Sequence, residues 1–158
     1  MNDYDPIFNV VLLEPEIPSN TGNIGRTCVG TQSMLHLVKP YAFELTDKRL
    51  KRAGLDYWPN LKWQTYENLE ELMSKVPDQS RVFYLTTKTQ QTIYDVQFQK
   101  GDWLVFGKET KGLPEELLEL HKENCLTIPM AGPVRSFNLS NAACVTVFEG
   151  VRQLNLQS

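Results

Sequence analysis

Short apolar runs alternate along the chain with segments of helical pattern, and this alternation predicts a parallel β-sheet flanked by helices. The first run, residues 7–13, contains three β-branched side chains and ends at Glu14 and Pro15, so its length and composition favour a buried strand. Similar runs predict strands at residues 34–38, 82–85, 103–106 and 126–128. The expected fold class is therefore α/β.

Capping residues predict where the helices begin. Such residues precede or open predicted helices over residues 48–53, 69–76 and 115–120, and a longer helix after Asn138. The segment between the first two predicted strands, which contains Pro18 and Gly22, is predicted as a polar loop.

The last predicted helix carries a wide apolar stripe at helical spacing. Its members are Cys144, Val147, Phe148, Val151 and Leu154, and Ala142, Ala143 and Val145 widen it in the first turns. A helix that packs on one sheet face needs fewer apolar positions than this. The stripe therefore predicts a homodimer contact through the last helix.

Composition is that of an ordinary globular domain. The 158 residues, 41% hydrophobic and 22% charged, fit a single domain over residues 1–158. Three cysteines without a CxxC pair indicate neither a disulfide framework nor a metal site. The chain shows no signal peptide and no apolar run of about 20 residues, so we expect a soluble, cytoplasmic protein with no membrane partner. With a net charge of −3, a nucleic acid would have to be held by local positive charge.

Three segments rich in glycine, proline and polar residues each follow a predicted strand. They span residues 14–26, 106–114 and 128–141. Ligand sites of parallel α/β folds lie beyond the carboxyl ends of the strands, which makes these segments candidates for chemistry. Each segment alone is equally consistent with turns and helix caps. Signatures of phosphate loops, Rossmann cofactor sites, zinc proteases and nucleophile elbows are missing from the sequence.

Taken together, the segments resemble the motifs of the SpoU branch of the SPOUT RNA methyltransferases, and in particular its small TrmL/YibK group. The matching stretches are EPEIPSNTGNIGR at 14–26, DKRLKRAGLDYW at 47–58, FGKETKGLP at 106–114 and IPMAGPVRSFNLSNA at 128–142. They follow the family's order and span nearly the whole chain, with no added domain. The resemblance is therefore far more specific than any single motif.

The resemblance implies a fold, an activity and partners. The fold is the SPOUT fold, in which a parallel sheet flanked by helices ends in a C-terminal deep trefoil knot, assembled as a homodimer. The activity is transfer of a methyl group from S-adenosyl-L-methionine to the 2'-hydroxyl of the wobble nucleotide, cytidine or uridine 34, of particular tRNAs such as leucine isoacceptors. Two alternatives remain: a 2'-O-methyltransferase of another RNA, and a non-catalytic RNA-binding protein with the same fold.

By the same resemblance, the cofactor-binding residues come from the ends of three predicted strands. They are Leu85, Thr86, Gly107, Glu109, Ile128, Met130, Ser136 and Asn138. Gly107 is expected to allow close approach of backbone and cofactor. Leu85 and Ile128 would otherwise be taken for core residues. Glu109 can neutralise a cation or brace its loop, and the residues do not separate these roles.

Arg26 and Asn20 are the candidate catalytic residues. Arg26 matches the arginine that related enzymes are proposed to use on the ribose hydroxyl. A guanidinium has a pKa above about 12, so orienting the hydroxyl or holding a phosphate is easier to accept than service as a free base. Asn20 can bond the ribose or brace its loop. Because the sulfonium donor already activates the methyl carbon, alignment and one proton transfer suffice, and no metal is needed.

Arg49, Lys51 and Arg52 form a dense basic cluster in this acidic chain, and Tyr57 follows closely. Such a cluster is usually a solvated helix face. Basic groups beside aromatic rings also suit an unpaired RNA loop, whose phosphates pair with cations while its bases stack. We therefore predict that these four residues bind RNA.

Overall fold

The computed structural model describes residues 4–43 and 57–155. These residues form six strands: β1 (Phe8–Leu13), β2 (Met34–Val38), β3 (Trp63–Tyr66), β4 (Val82–Leu85), β5 (Asp102–Phe106) and β6 (Cys125–Leu126). They also form the α-helices α1 (Pro18–Gly30), α2 (Leu69–Met73), α3 (Glu115–Leu120) and α4 (Leu139–Leu154). Short 3-10 helices span Trp58–Asn60, Gln79–Arg81 and Lys122–Asn124.

The six strands form one sheet in the order β3-β2-β1-β5-β4-β6, and every pair of neighbours is parallel. At its centre, Val10 of β1 lies in register with Leu35 of β2 and Leu104 of β5. Strands β2 and β3 lie on one side of β1, whereas β5, β4 and β6 lie on its other side, so the order in which strands are added reverses between β1 and β5. In open α/β sheets, such a switch point leaves a crevice at the carboxyl ends of the strands.

Helices cover both faces of the sheet, which explains why the strands are apolar on both faces and read as continuous runs. On one face, Ile24 and Cys28 of α1 and Val147 of α4 pack in a buried cluster with β-strand residues such as Phe8. On the other face, a second buried cluster contains Leu72 of α2 and Leu118 of α3. The predicted α/β class with a parallel sheet is confirmed.

The apolar stripe of α4 is divided between the chain's own core and its surface. Ala143, Val147 and Gly150 are buried, and a Cβ added at Gly150 would lie 2.4 Å from Cζ of Phe8. Phe148, in contrast, is 50% exposed. The core therefore uses more of the stripe than we expected. The homodimer contact through the stripe stays a prediction, and Phe148 is one of its exposed members.

The prediction of a polar loop after β1 is wrong, because residues 18–30 form helix α1. Three glycines in this segment lower its intrinsic helix propensity, so the helix is not visible in the local sequence. Its stability comes instead from tertiary packing, with Pro18 in the first turn and a buried face that includes Ile24 and Cys28.

Other boundaries differ less from the predictions. The edge strand β3 was not predicted, because its sequence, WQTY, has too few apolar residues to mark a run. Helix α2 ends at Met73, three residues before the predicted end, and β6 is reduced to Cys125–Leu126. The helix predicted at residues 48–53 lies outside the described residues.

Candidate active site

A cavity of about 510 Å³ opens at the carboxyl ends of the strands beside the switch point. Its walls come from the segments that follow β1, β4, β5 and β6, which converge there because parallel strands end at the same edge of a sheet. This volume lies within the roughly 300–1,000 Å³ typical of sites for small molecules and cofactors.

The cavity gathers nine of the residues predicted to form the site. They are Asn20, Leu85, Thr86, Gly107, Glu109, Ile128, Met130, Ser136 and Asn138. The cavity is also lined by residues that were not predicted, among them Ile17, Lys88, Lys108, Thr110, Lys111 and Phe137. Position directly after a strand was the signal that could have identified the lysines.

The first wall is the beginning of α1. Pro18 occupies the first turn of the helix, where its missing N–H costs no hydrogen bond. Ile17 precedes it and is 42% exposed, whereas Asn20, one turn further on, is only 4% exposed. An amide held at this depth in the cavity wall can bond a polar group of an occupant, and it can equally brace the wall.

The second wall is a tight loop after β5. The backbone N–H of Gly112 donates to the carbonyl of Lys108 at 2.9 Å, and Gly112 has a φ of +68°, a conformation that glycine adopts without strain. A Cβ added at Gly107 would lie 2.1 Å from the carbonyl carbon of Gly112 and 2.3 Å from the nitrogen of Leu113. Close approach at Gly107 is thus to the chain's own backbone, a reason for this glycine that the sequence did not indicate.

Two glutamates join the first wall to the second. The backbone N–H of Glu16 donates to Oε2 of Glu109 at 2.8 Å, while Oε1 of Glu16 accepts from the N–H of Thr110 at 3.0 Å and from its hydroxyl at 2.8 Å. The two bonds from Thr110, with its backbone N–H as the largest cause, lower the pKa of Glu16. Part of the bracing expected of Glu109 is therefore observed.

One oxygen of Glu109 remains available. Its Oε1 is buried and has no hydrogen-bond partner among the described residues. A buried carboxylate oxygen without a partner is costly, so it marks a position where an occupant of the cavity can donate a hydrogen bond or present positive charge.

The other walls follow β4 and β6. Leu85 is 9% exposed at the end of β4, and the next residue, Thr86, accepts a bond from the N–H of Lys88 at 3.1 Å. Beyond β6, the side-chain oxygen of Asn138 accepts from the N–H of Ser140 at 2.8 Å and from its hydroxyl at 2.6 Å. Asn138 is thus the N-cap of α4, so the capping role considered from the sequence is present alongside its place at the cavity.

Arg26 is not among the described residues that line the cavity. It is exposed near the end of α1, and its Cζ lies 4.9 Å from the ring centroid of Tyr57. The hydroxyl of Tyr57 donates to the carbonyl of Gly22 on the same helix. Within one chain, the two candidate catalytic residues therefore lie apart, with Asn20 in the cavity wall and Arg26 outside it.

The predicted RNA-binding cluster of Arg49, Lys51 and Arg52 lies outside the described residues. The charged residues that line the cavity, as far as the chain is described, are Lys88, Lys108, Lys111 and Glu109. Lys88 pairs with Glu115 at 2.8 Å. The cavity rim of this acidic protein thus carries more positive than negative side chains.

Within the described residues, the structure shows neither a metal-binding cluster nor a membrane-spanning helix. In residues 4–43 and 57–155, no three His, Cys, Asp or Glu side chains group in a way that could hold a metal ion. Over the same ranges, no helix combines the length and apolar character needed to cross a membrane.

The chain is similar to known proteins whose names describe methylation of nucleotide 34 of tRNA. A tRNA (cytidine(34)-2'-O)-methyltransferase of Saccharophagus degradans is 50% identical over 152 residues, 94% of this chain and 96% of the relative. A solved structure reported as structural insights into the 2-OH methylation of C/U34 on tRNA superposes with a TM-score of 0.87 at 42% identity, covering 94% of this chain and 96% of the other.

A more distant structure shares the fold. The SpoU methyltransferase AviRb from Streptomyces viridochromogenes, in complex with the cofactor AdoMet, has a TM-score of 0.80 at 24% identity and covers 98% of this chain and 60% of its own. The SpoU rRNA Methylase family matches residues 7–148. By its sequence and by its fold, the chain belongs to the SpoU methylase family.

Proposed function

We propose that the protein is an S-adenosyl-L-methionine-dependent tRNA 2'-O-methyltransferase that acts on the wobble nucleotide, cytidine or uridine 34. The observation that carries the proposal is the convergence of nine predicted residues, from segments far apart in the chain, on one cavity. The names of the relatives given above support the substrate. By family resemblance, leucine isoacceptors are the first tRNAs to test.

The cavity fits the cofactor that the family implies. Its volume suits a ligand of this size, and the unpartnered buried Oε1 of Glu109 suits a ligand that carries donors and positive charge. Leu85, Ile128 and Met130 would form the apolar part of the site, while Thr86, Ser136 and Asn138 would offer polar contacts. When bound, S-adenosyl-L-methionine supplies a methyl group already activated by a positively charged sulfur.

The chain's own task is then to hold and orient the acceptor. In this proposal, Asn20 at the cavity wall bonds the ribose, and Arg26 is a permanent cation that orients the 2'-hydroxyl or binds the adjacent phosphate. In a homodimer, Arg26 of one protomer would reach the cavity of the other protomer. The N-terminus of α4 lines the cavity, α4 packs on α1, and a second protomer docked on α4 would bring its own α1 near.

The tRNA would be held by local positive charge. Lys88, Lys108 and Lys111 line the cavity, and Arg49, Lys51, Arg52 and Tyr57 would supply further contacts to phosphates and bases in this proposal. The trefoil knot, the homodimer and the cytoplasmic location belong to the proposal as well, on the strength of the family resemblance.

The proposal is tested with two tRNA(Leu) substrates that differ in a single oxygen. Recombinant protein, S-adenosyl-L-methionine and tRNA with a ribose at position 34 should yield a 2'-O-methylated nucleotide 34, identified by mass spectrometry of nuclease fragments. The same tRNA with a 2'-deoxyribose at position 34 should yield none. Methylation of a base, or of the deoxy substrate, would contradict the proposal.

The same assay separates the alternatives. A methyltransferase of another RNA would leave tRNA unmodified and methylate ribosomal RNA from a deletion strain. A non-catalytic RNA-binding protein would bind tRNA but show no heat of binding with S-adenosyl-L-methionine in isothermal titration. Full activity in the presence of EDTA, with tRNA folding checked, is expected because the reaction needs no metal.

A further inference from the structure

Tyr57 spans one turn of α1 and contacts it at two points. Its hydroxyl donates to the carbonyl of Gly22, and its ring faces the guanidinium of Arg26, with Cζ 4.9 Å from the ring centroid. Gly22 and Arg26 are four residues apart, so they lie on the same face of the helix. Tyr57 thus holds the side chain of Arg26 close to α1.

The sequence of α1 makes room for this contact. A Cβ added at Gly25 would lie 3.2 Å from side-chain atoms of Trp58 and Leu61 and 3.5 Å from Cε2 of Tyr57. Trp58 and Leu61 are each 6% exposed and belong to the core. Tyr57 therefore extends from a buried, well-packed base, so its ring is a firm support for a flexible side chain.

We propose that Tyr57 is a positioning residue for Arg26. An aromatic face attracts a guanidinium because the guanidinium is cationic, and a side chain already held in place loses less freedom when it contacts the acceptor. The inference rests on the acceptor-binding role proposed for Arg26. It also changes the role expected of Tyr57, because one face of the ring is covered by Arg26 and is not open to an RNA base.

Two roles for Tyr57 predict different kinetics. If Tyr57 positions Arg26, Tyr57→Leu should lower kcat at saturating tRNA by about tenfold, less than the roughly 100-fold that a 1 Å misplacement can cost. The dissociation constants for tRNA and for S-adenosyl-L-methionine should change less than twofold. If Tyr57 stacks on a base, Tyr57→Leu should instead raise the dissociation constant for tRNA about tenfold and leave kcat at saturation unchanged. The second result would overturn the inference.

A matched pair of variants isolates the ring–cation contact from packing. Phenylalanine and trifluorophenylalanine have nearly the same shape, but fluorination withdraws the electron density that attracts a cation. Both variants at position 57 should fold with the same melting temperature. The fluorinated one should show about threefold lower kcat than Tyr57→Phe. Equal kcat in the two would overturn the inference even if Tyr57→Leu proves unstable.

Arg26→Ala shows which proposal has failed if the results are negative. Normal turnover of Arg26→Ala would remove Arg26 from the catalytic residues, and the positioning role would fall with it. Loss of turnover in Arg26→Ala, with unchanged kcat in the trifluorophenylalanine variant, would overturn only the positioning role. The expected result is loss of turnover in Arg26→Ala with nearly unchanged affinity for S-adenosyl-L-methionine.

Discussion

The backbone N–H of Glu16 donates a hydrogen bond to Oε2 of Glu109 at 2.8 Å, which ties the start of α1 to the loop after β5. Both segments line the same cavity, so this bond fixes one wall of the site against another. Glu109 serves the second wall in two ways, because one carboxylate oxygen braces the wall and the other is left for an occupant.

Replacement of Glu109 by alanine should therefore weaken cofactor binding. Glu109→Ala leaves the Glu16 N–H unpaired and removes the free oxygen, and we expect about 10- to 100-fold lower affinity for S-adenosyl-L-methionine by isothermal titration, the range covered by hydrogen bonds to charged groups. Glu109→Gln keeps an acceptor for the N–H and should lose less. Glu116→Ala, an exposed carboxylate on α3, is the control. Wild-type affinity in Glu109→Ala would contradict this account.

Alanine at Gly107 should damage both the loop and the site. Its Cβ would meet backbone atoms at 2.1 and 2.3 Å, which cannot move as a flexible side chain would. We expect Gly107→Ala to cost at least about 1–3 kcal/mol of stability, as overpacking does, and to abolish measurable cofactor binding. Gly132→Ala is a matched control, because nothing lies within 4 Å of its added Cβ. Thermal unfolding and titration should show a normal Gly132→Ala, and equal behaviour of the two variants would refute the prediction.

The buried imidazole of His36 should make the protein less stable in acid. Its Nδ1 lies 2.8 Å from the hydroxyl of Tyr66 and its Nε2 lies 2.8 Å from Oδ1 of Asn9, whose amide nitrogen donates to the carbonyl of Gly101. Nε2 therefore carries the proton of a neutral ring, and Nδ1 accepts from the tyrosine. Burial lowers the pKa of His36 from 6.5 to about 3.

The lowered pKa of His36 sets the direction in which stability depends on pH. Below pH 6.5 the unfolded chain binds a proton that the folded chain refuses, so stability present above pH 6.5 is lost as the pH falls toward 3, by up to about 1.4 kcal/mol per pH unit from this group. Urea unfolding between pH 4 and 7 measures the slope. His36→Gln should be less stable at pH 7 but flatter in this window. An equal slope in the variant would show that other groups cause the acid sensitivity.

Charge on the exposed face of α4 should disrupt the homodimer. Phe148 is 50% exposed in the single chain, and Phe148→Asp would place an unpaired charge in the proposed contact. We expect a monomer by light scattering. Leu120→Asp is the control, since Leu120 is 76% exposed on α3, and this variant should remain dimeric. A Phe148→Asp dimer, or a monomeric wild-type protein that is active, would exclude α4 as the contact.

Neutralising the basic cluster should change how tRNA binding depends on salt. Replacing Arg49, Lys51 and Arg52 by alanine should reduce the slope of log K against log salt by about 2, since each lost contact to single-stranded RNA removes about 0.7. The affinity for S-adenosyl-L-methionine should not change.

A control triple variant removes equal charge from the edge of the sheet where the strands begin. Lys62, Lys100 and Lys122 are exposed and each lies just before a strand, away from the carboxyl ends. Filter binding at several salt concentrations should give this variant a wild-type slope. If both triple variants keep that slope, residues 49–52 form a solvated surface and not an RNA-binding one.

Local sequence determined most of the sheet, because a strand covered on both faces must be apolar throughout and such runs are visible without any structure. It also indicated which segments line the cavity, since each predicted segment follows a strand and contributes residues to the cavity wall. Helix α1, by contrast, could not be predicted from its local sequence. Its glycines lower local propensity, and only packing of Ile24 and Cys28 against the sheet makes the helix stable.

Tertiary structure alone decided what several site residues contact. The backbone of Gly112 and Leu113 requires a glycine at position 107, and Tyr57 contacts Arg26 across more than thirty residues of chain. Both contacts depend on distances between segments, and no local pattern contains those distances. Hydrophobic periodicity records which side of an element is buried. It carries no information about which distant atom lies within a few ångströms, and the contacts that define this site are set at that scale.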